Sequence, residues 1–514
     1  MKEFLGKRLD YLFRSTRGLT LVAIAMVALV TAIWGTLSGP MIEWGVRDIT
    51  VKTLGMDLTQ ADREGRVIML YHTIAMAIVA IEVYFITDLI PMKKHEQVTI
   101  NVVVTVGYLT AMIFGLLFAY FGHNFTYHGL FLAGQSLVFF AGILLAAALW
   151  PWKKEYYLPE DTPYARSPKG VDLERAAFFT MAVATLLSAT WGATTGSFWG
   201  NGHTTFLGED IIRHPDHTTL QKAIIGHLHI MVSLTAAAIT LTVGRWMDFK
   251  GKLHKWGIPI GILGIITLTA GALSVVWLEW AHTIIYVGAV FIMTEALFYV
   301  IYSWDKLIKD GTAHLDKPTF GQKIAALVKD PLKFGTGWQM VFMNFTVSGV
   351  GIFLAIKLEE IFRVWPHREE RITLTGHWHI LAALIATIII MYYADMSNLK
   401  GKTRLWFGWI LIIASDIAFG SATVFSMKRL FVDTNNQQPV VNTTMLLIDF
   451  GLGAILIMFS IFMGWRLYDL FKKEGESQWS KEFSEEKEKS AKAELEEQKR
   501  KMAELEAALK EVSK

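Results

Sequence analysis

The chain reads as an all-α polytopic membrane protein. Hydrophobic residues make up 53% of its 514 positions, and its mean hydropathy is +0.37. The apolar residues also gather into twelve stretches of about 20 residues, the length that crosses a bilayer as a helix. These stretches are 18–38, 67–91, 98–122, 127–150, 175–199, 222–246, 255–278, 281–304, 335–357, 372–394, 403–425 and 443–467, numbered here as spans 1 to 12.

Span 1 follows the basic segment MKEFLGKRLDYLFRSTRG without a small-residue cleavage site, so it is expected to stay in the mature chain. Lys and Arg crowd that segment, PMKKHE, PWKKEYY, RWMDFKGKLHK, the 305–334 loop, NLKGKTR and the C-terminal tail. The alternate loops carry fewer. The positive-inside rule then places both termini in the cytoplasm, and the expected location is a prokaryotic inner membrane. The chain has no Cys and a net charge of +3. Thiolate metal sites, iron–sulfur clusters, disulfides and covalent haem attachment are excluded. The charge marks no class of partner beyond the lipid bilayer, and no nucleic acid is expected.

The chain repeats itself. GHLHIMVSLTAAAITLTVGRWMDFKGKLHKW lies without a gap over GHWHILAALIATIIIMYYADMSNLKGKTRLW. His227 and His377, His229 and His379, Gly251 and Gly401, and Trp256 and Trp406 share one offset, 377 − 227 = 150. A fainter copy, IMLYHTIAM, surrounds His72, and the preceding spans end in WGTLSG, WGATTG and NFTVSG. Twelve spans thus divide into three units of four, approximately 18–150, 175–304 and 335–467, within a membrane domain of residues 1–470. The histidines stand on the second span of each unit: spans 2, 6 and 10. Residues 471–514 form a charged, helix-favouring tail in which Leu495, Met502, Leu505, Leu509 and Val512 make a short stripe. Two readings of this tail stand: a solvated helix, which is favoured, and a helix that docks a cytoplasmic partner.

Two imidazoles at positions i and i+2 of a helix point about 200° apart, so one HxH pair serves two different neighbours. An imidazole inside a bilayer calls for a reason. Five at repeat-related positions favour a shared purpose over isolated hydrogen bonds. With thiolates excluded, haem iron held by imidazoles from facing helices suits an apolar bundle.

At this point the chain resembles the main subunit of the haem–copper oxidase superfamily, nearest to its nitric oxide reductase and C-type oxidase branches. The resemblance rests on twelve spans in three four-helix arcs, a His on span 2 and HxH on span 10. It implies that His72 and His379 bind a low-spin haem and that His377 binds a second haem. It also implies a copper or non-haem iron held by a span 6 His and an adjacent His pair on span 7. There this sequence departs from the family. Span 7 reads LTAGALSVVWLEWAH, with Ala272 and Leu273 where the pair is expected and His282 too far along. Copper is therefore not expected. Carrying the family's placement of span 10 around the threefold repeat directs His229 toward His377 and His227 toward span 2. The expectation is two haems b, each closed by two imidazoles, with a third possible. His227 is left over, because Ile74 stands where its partner would be. It either supports a five-coordinate haem, takes Met69 or Met76 as partner, or is a satisfied polar residue; the last is favoured.

The resemblance further implies cations for the haem propionates between spans 11 and 12, where FSMKRLF supplies Lys428 and Arg429. A lipid-headgroup or topology role for the two is equally open. Glu82, Glu295, Asp416 and Asp449 are intramembrane acids, either proton relays or ties between helices. The His lie near the outer ends of their spans. His123, His128, His203, His214, His217, His282 and His367 lie in the outer loops, where solvation is the ordinary role. The expected function is electron transfer within a respiratory complex, between partner subunits and an external cytochrome c or quinone. Two rivals stand beside it: an active oxygen or nitric oxide reductase with an unusual metal site, and a cofactor-free transporter.

Overall fold

A computed structural model describes residues 2–38, 44–58, 63–122, 124–195, 219–278, 280–357, 361, 364–365 and 367–512. His123, His203, His214 and His217 lie outside the described residues. So do the ends of WGTLSG and WGATTG at Gly39 and Gly196. The architecture is all-helical, with no strand among the described residues.

Twelve helices are long and apolar enough to cross a membrane: Thr16–Leu37, Met69–Leu89, Lys94–Phe121, Phe125–Ala148, Leu173–Thr194, Lys222–Trp246, Lys252–Ser274, Ala281–Thr312, Pro331–Leu354, Gly376–Met396, Gly401–Leu430 and Gln437–Asp469. Each coincides with one expected span to within eight residues at either end. Span 9 is not α-helical throughout. Pro331–Phe342 is α, Met343–Ser348 is a π turn, and Gly349–Ile356 is α again.

The packing repeats every four spans. Spans 3 and 4, 7 and 8, and 11 and 12 form the most intimate pairs. Small residues allow this. A Cβ on Gly134 would come 2.4 Å from the backbone of Ala111, one on Gly288 2.4 Å from that of Leu268, and one on Gly451 2.6 Å from that of Ala414. In lipid, helix pairs gain most of their attraction from such close backbone approach. Spans 4 and 5, 8 and 9, and 12 and 1 also touch, while span 6 packs against both span 2 and span 10.

The 150-residue offset is visible in the backbone itself. Asp248 and Asn398 both take left-handed conformations, φ 53° and 58°, at the end of spans 6 and 10. Phe249 N donates to Gly244 O and Leu399 N to Ala394 O, closing the same C-terminal helix cap twice. Gly251 and Gly401 follow with φ 85° and 61°.

Three further helices sit at the end of the bundle opposite the histidines: Lys2–Arg14 before span 1, Phe320–Leu327 between spans 8 and 9, and Gln478–Val512 after span 12. The tail helix begins under tight control. Asp469 accepts from the backbone N–H groups of Gln478 and Trp479, and Arg466 pairs with Glu482 at 2.7 Å. Farther along, Lys489 meets Asp88 and Arg500 meets Glu155. The tail helix therefore lies across the bundle end, with Leu495, Met502, Leu505 and Leu509 exposed.

Candidate functional site: a layer of histidines on three central spans

Two contacts fix the register of spans 2 and 10. Tyr71 bonds His379 across 308 positions. Phe85 and Tyr392, 392 − 85 = 307 positions apart, stack edge to face at 4.7 Å. The spans are therefore parallel, and His72 and His379 stand at one depth. Trp246 Nε1 donates to Asp395 at 2.7 Å, an offset of 149, which sets spans 6 and 10 in register. His227 and His229 then fall level with 376 and 378. At 1.5 Å rise per residue, the five imidazoles occupy one layer of about 4.5 Å.

Each ring has definite neighbours. The Tyr71 hydroxyl bonds Nε2 of His379, with the rings 5.7 Å apart. Span 10 thus meets span 2 beside His72. Nδ1 of His227 donates to the Ser188 carbonyl oxygen at 2.9 Å, and the Ser188 hydroxyl lies 3.3 Å away. His227 also lies within electrostatic range of His72. Its ring rests on span 5, where a Cβ at Gly192 would come 2.5 Å from Cε1. His377 repeats this on span 9, where a Cβ at Gly351 would come 3.4 Å from Cδ2. The first His of each HxH pair therefore lies against a glycine of the preceding span. His229 is half-buried on span 6.

A cavity of about 10 Å³ opens beside His377, lined by Thr346, Val347, Val350, Ile380, Thr423, Ser426 and Met427. It has room for one water molecule. The π turn of span 9 supplies Thr346 and Val347; π turns recur at functional sites because they shift side chains out of helical register. Lys428 follows directly on the lining residues, is only 5% exposed, and has Nζ 5.0 Å from the Phe425 ring. Arg429 lies over Trp365 at 5.5 Å. The two cations thus stand at the His end, next to His377.

The glycine preceding each HxH pair also has a measurable role. A Cβ on Gly226 would fall 2.5 Å from the Ala272 carbonyl oxygen on span 7, and one on Gly376 2.5 Å from the Ser426 hydroxyl on span 11. A backbone oxygen cannot step aside; a serine rotamer can. Gly226→Ala is expected to destabilise the purified protein by about 1–3 kcal/mol, and Gly376→Ala by less. Thermal melts in detergent check the order.

The four acids sit in different surroundings. Glu82, on central span 2, is buried, and its Oε1 has no hydrogen-bond partner among the described residues. Glu295 is fully buried against Gly261 and accepts from the Tyr299 hydroxyl at 3.5 Å. Asp416 accepts from Trp338 Nε1 at 2.8 Å and Gln339 Nε2 at 3.4 Å, tying span 11 to span 9. Asp449 is exposed on the flank of span 12. His128 packs on Phe118 at 5.3 Å, and His282 lies in the first turn of span 8.

Sequence reasoning missed Tyr71, Ser188, Gly192, Gly351 and the π turn. Tyr71 adjoins His72, and Ser188 precedes the repeated WG of span 5, but neither position signals where its side chain points. Among the described residues there is no cluster of three or more His, Asp or Glu able to hold a metal ion. No protein-family model matches the chain, nor does any curated protein or solved structure.

Proposed function

We propose that this chain is a membrane-embedded cytochrome b of haem–copper oxidase-like arrangement, with three four-helix arcs around spans 2, 6 and 10. It carries two haems between those spans and passes electrons within a respiratory complex, exchanging them with quinone or an external cytochrome c, without a copper gas-reduction site. The observation that carries this reading is the single layer of five imidazoles on three mutually packed, parallel helices.

The donor chemistry fits a haem held from both sides, and buried Lys428 beside the His377 cavity suits a propionate. The cavity beside His377 has room for one water, and Tyr71 occupies Nε2 of His379. Accepting a porphyrin requires Tyr71 to release His379 and the His ends of the central spans to part. When bound, a haem closed by two imidazoles supplies one-electron transfer and leaves no coordination position for a gas.

The test is a pyridine haemochrome assay with metal analysis on the purified protein. About two haems b per chain and no stoichiometric copper are expected. The reduced protein is then titrated with carbon monoxide; less than about one-tenth equivalent is expected to bind, because both axial positions are taken. One equivalent of carbon monoxide would favour the reductase reading.

The hydrogen bonds already made by His227 and His379 favour a second reading, a cofactor-free membrane protein. A colourless preparation from cells supplied with haem precursor would establish it.

A further inference from the structure

We infer that the exposed face of span 12 docks a transmembrane helix of another subunit, one that carries a Lys or Arg at the depth of Asp449. Asp449 lies 12 residues after Gln437 and 20 before Asp469. Those separations are about 18 and 30 Å along the helix axis, so the side chain is set in from both ends of the span. It is exposed on the bundle flank, between Leu446 at 69% and Phe450 at 65% exposure. No described residue of this chain bonds it. A carboxyl group facing lipid is costly, and intramembrane acids are ordinarily paired.

The rest of that face suits a helix rather than lipid. Residues 442, 446, 449, 453, 456, 460 and 464 fall within an arc of about 80°. They read Asn, Leu, Asp, Gly, Leu, Ser and Gly. Nothing lies within 4 Å of a Cβ built on Gly453 or Gly464, so both leave open backbone. Small and polar residues on one stripe are what close helix pairs in membranes use.

Position in the repeat agrees. Spans 4 and 8 hold the same place in their units and are packed by the following unit, with 28% and 33% of their apolar windows buried. Span 12 meets span 1 in that place but packs on it more sparsely, and only 17% of its window is buried, the lowest of the twelve.

Charge decides the occupant. A second copy related by a twofold axis along the membrane normal would set Asp449 against its own image, like against like. A cation on a different helix satisfies it. This inference does not depend on haem binding.

The chain's lack of cysteine makes the test direct. Tyr468→Cys, exposed at the end of the span, takes a donor fluorophore. The probes are two acceptor-labelled Leu-rich transmembrane peptides, one with a single central Lys and one without, in phosphatidylcholine vesicles. The Lys peptide is expected to associate about tenfold more tightly than the all-Leu peptide. Asp449→Leu should abolish that preference, Asp449→Asn should retain part of it, and Gly453→Leu should weaken binding of both peptides. Unchanged thermal melts show that these exposed substitutions leave the fold intact. Equal association of the two peptides, or a preference that survives Asp449→Leu, overturns the proposal. So does Asp449-dependent energy transfer between two labelled copies of the chain.

Discussion

Replacing His72 or His379 with Ala should remove about half of the haem from the purified protein, and replacing both should remove no more than either alone. The same non-additivity should hold for His229 and His377 with the other half. Combining one substitution from each pair should leave the protein colourless. The basis is positional. Tyr71–His379 and Phe85–Tyr392 lock spans 2 and 10 in parallel register, and Trp246–Asp395 does so for spans 6 and 10. Imidazoles at one depth on neighbouring helices are the arrangement in which two ligands share one iron. His227 is the internal control. It already bonds the Ser188 carbonyl oxygen, so His227→Ala should leave the haem content unchanged and cost about 1 kcal/mol of stability. Pyridine haemochrome content per chain reads all of these. Additive losses across the His72/His379 pair, or a large loss in His227→Ala, would sink the pairing while leaving haem binding itself intact. Unaltered pigment in all four single variants would sink the assignment of these histidines as haem ligands.

The parts of this architecture legible in the sequence are those set by local physics. Bilayer thickness fixes span length, so twelve apolar stretches gave twelve helices. The 150-residue offset fixes repeated turns, and Asp248 and Asn398 share left-handed backbone for that reason. A shared offset also fixes depth, which is why the five His fall in one layer. Helix rotation was less legible. Spans buried in a large bundle are apolar nearly all round, so hydrophobic periodicity sets no facing direction. That His227 turns onto Ser188, and that Tyr71 rather than His72 makes the bond to His379, depends on rotations that no local pattern encodes. The π turn at Met343–Ser348 is hidden for a related reason: a one-residue slip in the helical ladder leaves composition unchanged. The tail shows a third limit. Its Leu495, Met502, Leu505 and Leu509 are exposed, and what seats the helix is a set of contacts between positions far apart in the chain.

Those contacts carry the second large expectation. Arg466 is 1% exposed and Glu482 0%. Their forks meet twice, at 2.7 and 3.1 Å, and the Tyr11 hydroxyl bridges them, accepting from Arg466 at 2.6 Å and donating to Glu482 at 2.8 Å. Arg8, on the same N-terminal helix, donates to the carbonyl oxygens of Leu470 and Lys472. The first helix, the end of span 12 and the start of the tail are thus clasped around one buried ion pair. Removing one partner strands the other charge, which in buried pairs costs about 3–5 kcal/mol, whereas removing both with apolar residues of similar volume costs far less. Arg466→Met should therefore release the tail helix, seen as rapid proteolysis after about residue 470 and a lower melting midpoint in detergent. Glu482→Met should do the same. Arg466→Met combined with Glu482→Met should recover most of the lost stability and protease resistance. Losses that simply add in the double variant would show that the charges act separately, and the clasp would then owe its strength to the packing of Trp479 and Phe483 around Tyr11.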